Sequence, residues 1–254
     1  MRNICLMLAY DGTDFSGWQR QRSQRTIQQT LEEALFELTG AEATLHASGR
    51  TDAGVHALGQ VVHFLTAAPH DPATFVKALN ATLPDDIRVL SAREAPQSFH
   101  ATVDATSKMY RYVIDNGRVA DPFQRRYAWH VFRPLDADAM RAAGQALVGR
   151  HDFRSFETNW PNRMSSVRTV MKVEAARVGD CVRVEVEADG FLYHMVRAIT
   201  GTLTLVGKRK WPVERVAEAL AAQDRGRAGP TAPAQGLCLV RVEYPEHLFE
   251  RHDV

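Results

Sequence analysis

The sequence predicts an α+β protein in which two similar subdomains share a central, largely antiparallel sheet flanked by helices. Three observations carry this expectation: short strand-like runs outnumber helical ones, several of those runs are adjacent, and both halves pass from strand to helix to further strands. The 254 residues are 45% hydrophobic and 24% charged, enough to bury a large core and incompatible with a disordered chain or a small disulfide scaffold. No residue-level repeat accompanies the similarity of the halves. Gly, Pro and Arg collect between Gly117 and Pro134, and the expected subdomains span residues 1–106 and 107–254.

The elements follow from local signals. Ile4 to Tyr10 is a short apolar run stopped by Asp11-Gly12, which reads as a strand. Thr26 and Gln29 form a capping box. Beyond them Ile27, Leu31, Ala34, Leu35 and Leu38 recur at helical spacing up to Gly40. Strands are expected over Ala43 to Ser48 and Gln60 to Thr66, which makes Gly49 to Gly54 a loop. Asp71-Pro72 opens a helix carrying Phe75, Val76 and Leu79. Strands follow at Ile87 to Leu90 and Lys108 to Ile114, and a helix runs from Asp136 through Leu147. A hairpin of Val170 to Ala175 and Cys181 to Val186 turns at Gly179-Asp180. Helices at Phe191 to Val206 and Val213 to Ala221 precede a last strand, Leu237 to Val242.

Composition narrows the function classes. Lys and Arg number 31 against 30 Asp and Glu, so net charge alone names no partner. Locally the balance differs. Gly17 to Gln28 holds Arg20, Arg22 and Arg25 with no acid. Lys108 to Arg133 holds Lys108, Arg111, Arg118, Arg125, Arg126 and Arg133 against Asp115 and Asp121, interleaved with Tyr110, Tyr112, Phe123, Tyr127, Trp129 and Phe132. Tyr193 to Trp211 holds Arg197, Lys208, Arg209 and Lys210 unopposed. Basic residues interleaved with aromatic ones suit a surface that pairs phosphates and stacks bases. Any one such segment reads more readily as the solvated face of a strand with a core behind it; three together point to a polyanion. The excess of Arg over Lys reads more readily as the codon bias of a GC-rich genome than as a sign of function.

Cys5, Cys181 and Cys238 show no CxxC spacing, which argues against a disulfide framework or a cysteine zinc site. The apolar start is too short for a membrane span and lacks a signal-peptide cleavage pattern, so a reducing, cytoplasmic setting is the default. No HExxH, P-loop, GxGxxG or G-x-S-x-G context appears. The most informative stretch is Gly49-Arg-Thr-Asp-Ala-Gly-Val-His56. Its glycines let the backbone turn tightly around Asp52, and Arg50 two residues away favours the ionised carboxylate, which suits a nucleophile or base better than a general acid. An Asx turn closing the loop accounts for the same residues equally well.

That stretch, continued through Ala57 and Gln60-Val-Val-His-Phe64, closely resembles the signature of the tRNA pseudouridine synthase A family. Tyr10-Asp-Gly-Thr through Gly17-Trp-Gln-Arg-Gln21, Leu79-Asn80, Leu83-Pro84, Phe99-His-Ala101 and Asp104-Ala-Thr-Ser-Lys-Met-Tyr-Arg-Tyr112 resemble it too. So do His151-Asp-Phe153, Val167-Arg-Thr169, Gly190-Phe-Leu-Tyr-His-Met-Val-Arg197, Gly229-Pro-Thr-Ala-Pro233 and Gly236-Leu237. The resemblance runs in order from about Tyr10 to Pro245.

The resemblance implies isomerisation of uridine to pseudouridine at positions 38, 39 and 40 of the tRNA anticodon arm, by a homodimer without a cofactor or metal. It also implies an active site in a cleft between the two halves. By motif position Asp52 is the catalytic carboxylate, acting by attack on the sugar or by assisting deprotonation at C2′. Tyr110 stacks on the uracil and is a candidate base for the C5 proton. Arg197 pairs with the catalytic Asp, and Arg50 helps displace the target nucleotide from its stack. Arg20, Arg22, Lys108, Arg111, Arg125, Arg126, Lys208, Arg209 and Lys210 are the candidate RNA contacts. Thr102, Ala198 and Cys238 depart from residues common in the family, Arg, Asn and Tyr respectively, which bears on tRNA affinity before chemistry. Two alternatives use the same residues: a catalytically silent tRNA-binding or chaperone protein on this fold, and a glycosidic hydrolase that would release free uracil.

Overall fold

The computed structural model of the chain describes residues 1–158 and 165–249. In chain order these form β1 (Arg2–Tyr10), α1 (Ile27–Thr39), β2 (His46–Ala47), β3 (His56–Thr66), α2 (Pro72–Thr82), β4 (Ile87–Ala95), β5 (Ser107–Asp115), β6 (Trp129–His130) and α3 (Ala137–Gly144). After these come β7 (Gly149–Asp152), β8 (Val167–Val178), β9 (Cys181–Ala188), α4 (Met195–Gly207), α5 (Arg215–Ala222) and β10 (Leu237–Glu243). The fold is α+β with largely antiparallel strands; the short β6 runs parallel to β5. The chain divides into two compact units, Met1–Thr106 with Leu239–Val254, and Ser107–Cys238.

In the first unit the strand order is β4-β1-β3-β10, with β2 on β3. Ile4, Leu6 and Leu8 of β1 alternate onto one face, where Ile4 and Leu6 lie opposite Phe64 and Val62 of β3, all fully buried. Phe75 of α2 meets Phe64 edge-on at 5.7 Å. Burying each such side chain contributes about 1.5–3 kcal/mol. Cys5 of β1 and Val61 of β3 occupy the other face with Ala95, Phe99 and Ala101, and Val242, Tyr244, Leu248 and Phe249 cover them. The Tyr244 hydroxyl donates to the Ala101 carbonyl at 2.6 Å, and the Thr106 N–H donates to the Glu243 carbonyl at 2.9 Å. These contacts are why the chain from Leu239 groups with the first unit, whereas the sequence suggests a second subdomain running on to residue 254.

Helix α1 is set by its ends. Thr26 Oγ1 accepts the Gln29 N–H, and Gly40, at φ 68°, ends the helix with its N–H on the Phe36 carbonyl at 2.8 Å. Only half of the capping box forms, because the Gln29 amide reaches forward to Glu33 Oε1 at 2.8 Å rather than back to Thr26. Asp71 caps α2 through the Thr74 N–H at 2.7 Å, with Pro72 in the first turn.

The second unit orders its strands β5-β9-β8-β7. The β8–β9 hairpin closes on Gly179-Asp180, where Gly179 takes φ 59°. Helix α4 is buried on nearly every side, and its Thr200, Thr202 and Thr204 hydroxyls are satisfied by the carbonyls four residues back. It begins at Met195 and not at Phe191, since His194 adopts a left-handed φ of 65° that no α-helix continues. The Asp136 helix ends as a 3-10 turn, Gln145–Leu147. Of the expected strand Ala43 to Ser48 only His46–Ala47 pairs, and β6 and β7 are too short and too polar to have shown a pattern.

Candidate active site

Asp52 stands half-buried in the loop that joins β2 to β3, two residues past an exposed Arg50. The floor of this loop is a polar network. Gln60 of β3 donates Nε2–H to the Gly49 carbonyl at 2.8 Å and accepts the Ser48 hydroxyl at 2.7 Å, while the Tyr10 hydroxyl at the end of β1 lies 2.8 Å from Thr51 Oγ1. Tyr10, Ser48, Thr51 and Gln60 are all buried. Each such group left without its partner would cost about 1–3 kcal/mol, so the network fixes the loop.

One wall of the loop is the chain that follows β1, and it approaches closely because two positions lack a side chain. A Cβ on Gly12 would lie 2.0 Å from the Val55 carbonyl oxygen; one on Gly17, itself at φ 89°, would lie 2.8 Å from that of Thr51. Across this contact the Trp18 N–H donates to the Thr51 carbonyl at 3.0 Å, the Gly54 N–H to that of Phe15 at 3.4 Å, and the Gly12 N–H to His56 Nδ1 at 3.1 Å. The Val55 N–H closes a turn on the main-chain carbonyl of Asp52 at 3.1 Å.

In the second unit β5 alternates. Lys108, Tyr110 and Tyr112 share one face, and Arg111 lies on the other, where it pairs with Glu185 of β9 at 2.9 Å. Phe191 packs edge-on against the buried Tyr110, ring centroids 5.0 Å apart at 87°. Tyr112 is a locked donor. Its hydroxyl donates to the Pro233 carbonyl at 2.7 Å, and burial pushes the phenol well above its ordinary pKa despite the opposing charge of Arg197.

Arg197 is the third residue of α4, and its Nε–H donates to the Ala232 carbonyl at 2.8 Å while its own carbonyl accepts the Ala232 N–H at 3.0 Å. The segment Gly229 to Pro233 can lie this close because Gly201 has no side chain: a Cβ there would fall 1.7 Å from the Pro230 carbonyl oxygen. Arg225 braces the same segment through the Gly229 carbonyl at 2.8 Å and Thr231 Oγ1 at 2.9 Å.

The basic segments resolve unevenly. Arg20 pairs with Glu32 at 3.1 Å, and Arg25 forms a two-pronged pair with Asp86 at 2.8 and 3.0 Å while stacking on Phe15. Arg22 is exposed with no acidic partner among the described residues. Arg125 and Arg126 are exposed beside Phe123, itself 85% exposed. At the end of α4 Lys208 lies over the Trp129 ring at 5.4 Å, Arg209 pairs with Asp136 at 3.2 Å, and Lys210 is exposed. Lys108 is instead largely withdrawn, on the Tyr110 face. The departing Thr102 donates to the Ala47 carbonyl at 2.6 Å, and Ala198 is fully buried in α4. Sequence reasoning missed the bracing by Gln60, Gly12, Gly17 and Ala232. The glycines in Tyr10-Asp-Gly-Thr and Gly17-Trp-Gln-Arg were the available signal for it.

A family model described as tRNA pseudouridine synthase matches residues 6–104 and 143–245 of this chain. A curated tRNA pseudouridine synthase A of Brevibacillus brevis is 50% identical over 96% of this chain and all of its own length. Counterparts of the same name from Thermoanaerobacter sp. and Shigella boydii are 42% and 44% identical, covering 96% of this chain and 100% and 90% of theirs. The chain belongs to the tRNA pseudouridine synthase family.

Proposed function

We propose that this protein isomerises uridine to pseudouridine at positions 38, 39 and 40 of tRNA anticodon stem-loops, as a cytoplasmic homodimer that needs no cofactor. The observation that carries the reading is the loop that bears Asp52, its backbone and Thr51 braced by Gln60 and Tyr10 on one side and by the close approach at Gly12 and Gly17 on another, in a chain of this family. The reaction breaks the C1′–N1 bond, rotates the uracil and rejoins it through C5, releasing the C5 proton. Asp52 supplies the carboxylate. Tyr110, held by Phe191, supplies a flat face for the base and a phenol for the C5 proton. Arg197, whose guanidinium is fixed on one edge by the Ala232 carbonyl, is the candidate counter-charge for the catalytic carboxylate. Arg50, exposed in the Asp52 loop, holds the space left by the extruded nucleotide. Arg22, Arg125 and Lys210 are exposed candidates for phosphate contact, whereas Arg20, Arg111 and Arg209 already have acidic partners; Arg126 is a further exposed candidate.

Three cysteines without a disulfide fit a reducing compartment. The test is incubation with tRNA tritiated at uracil C5. Release of label with pseudouridine as the product supports the proposal; binding without release, or free uracil among the products, refutes it.

A further inference from the structure

Lys108 is placed unlike a surface lysine. It sits two residues before Tyr110 on the same face of β5, opposite Ala188 of β9, and only partly exposed. No hydrogen-bond or ion-pair acceptor among the described residues meets its ammonium. The charges that act on it are Arg168 of β8 and, more weakly, Asp189, whose Oδ1 already accepts the Thr169 N–H at 3.0 Å. Burial and then Arg168 lower its pKa. Arg168 in turn lies along Gly190, where a Cβ would be 3.4 Å from Nε, and the next residue is the Phe191 that packs on Tyr110. An ammonium withdrawn from water beside a guanidinium is unfavourable by itself and becomes favourable when an anion enters.

We propose that Lys108 and Arg168 form a subsite for a backbone phosphate of the target nucleotide, beside the base-stacking face of Tyr110. This rests on Tyr110 being the platform for the uracil. A phosphodiester fits the site better than the uracil ring does, because its charge is permanent and meets the Lys108 ammonium throughout the bound state, with Arg168, already anchored on the Ser165 and Val167 carbonyls, adding its field. The uracil ring carries negative charge only during the reaction.

The experiment uses anticodon stem-loop RNA with a neutral methylphosphonate on either side of the target uridine. Filter binding and steady-state tritium release are measured for the wild type, Lys108→Met and Lys108→Arg. Lys108→Met is expected to raise Kd and KM about tenfold with little change in kcat, and Lys108→Arg to restore most of the loss. One of the two neutral phosphates should weaken the wild type by a similar factor and Lys108→Met no further. Additive losses, a loss confined to kcat, or wild-type binding indifferent to both neutral phosphates would overturn the subsite. The last comparison needs no variant to fold. If the wild type releases no label, the proposed function fails, while the binding comparison still decides the subsite.

Discussion

Gly12→Ala isolates the claim that the backbone wall positions Asp52. The added Cβ would begin 2.0 Å from the Val55 carbonyl oxygen and 2.7 Å from its carbon, whereas side-chain carbons essentially never approach backbone closer than 3.0 Å. The carbonyl must therefore retreat by about 1 Å, and it belongs to the residue whose N–H closes the turn on Asp52 at 3.1 Å. A displacement of that size at a reacting group costs roughly a hundredfold in rate, equivalent to about 2.7 kcal/mol of barrier. The strain itself costs about 1–3 kcal/mol of stability, a fall in Tm of several degrees for a chain of this size. The assay is single-turnover tritium release alongside a thermal melt. Gly144→Ala serves as the control, since its Cβ would meet Val173 Cγ1 at 2.6 Å in the second unit. It should lose stability and keep its rate. If Gly12→Ala melts lower yet turns over at the control's rate, the wall does not position Asp52.

Gln60→Leu removes the donor to the Gly49 carbonyl and the acceptor for the Ser48 hydroxyl, both in buried surroundings, and should cost about 2–4 kcal/mol in urea unfolding; a loss below about 0.5 kcal/mol contradicts the floor network. His63, buried between His46 and His100 and accepting the Ala101 N–H on Nδ1, has its pKa lowered from 6.5 to about 4, chiefly by burial and then by those two histidines. The unfolded chain then takes up the proton first, so stability is complete above pH 6.5 and is lost as the pH falls towards 4, on the order of 2 kcal/mol between pH 7.5 and pH 5. Asp104 partly opposes the shift, and an unchanged slope in His63→Gln would assign this loss to other groups. Tyr110→Phe keeps the ring against Phe191 and removes the phenol; tRNA binding should persist while label release falls at least tenfold, and full release would exclude the phenol as the base.

Much of the first unit was legible because its signals are local. Thr26, Gly40 and the Asp71-Pro72 pair each mark a helix end through bonds to residues three or four positions away. Gly179-Asp180 likewise marks a hairpin by itself. Features that depend on distant partners were not legible. Asp86 neutralises Arg25 across 61 residues, and Glu32 does the same for Arg20, so the first basic segment is weaker than its composition. The left-handed His194 shortens α4 for a reason no propensity encodes. Asp52 was conspicuous through its flanking glycines. The residues that hold its loop come from β1, β3 and the chain after β1, and pattern alone does not connect them.

The central claim is that Asp52 carries the chemistry and does not merely hold the fold. Its direct test is Asp52→Asn, an isosteric loss of charge, measured for tRNA binding by filter retention and for turnover by tritium release from C5-labelled tRNA. Binding close to that of the wild type is expected, with release reduced by more than about a thousandfold. Release at the wild-type rate by a folded Asp52→Asn variant would contradict the claim.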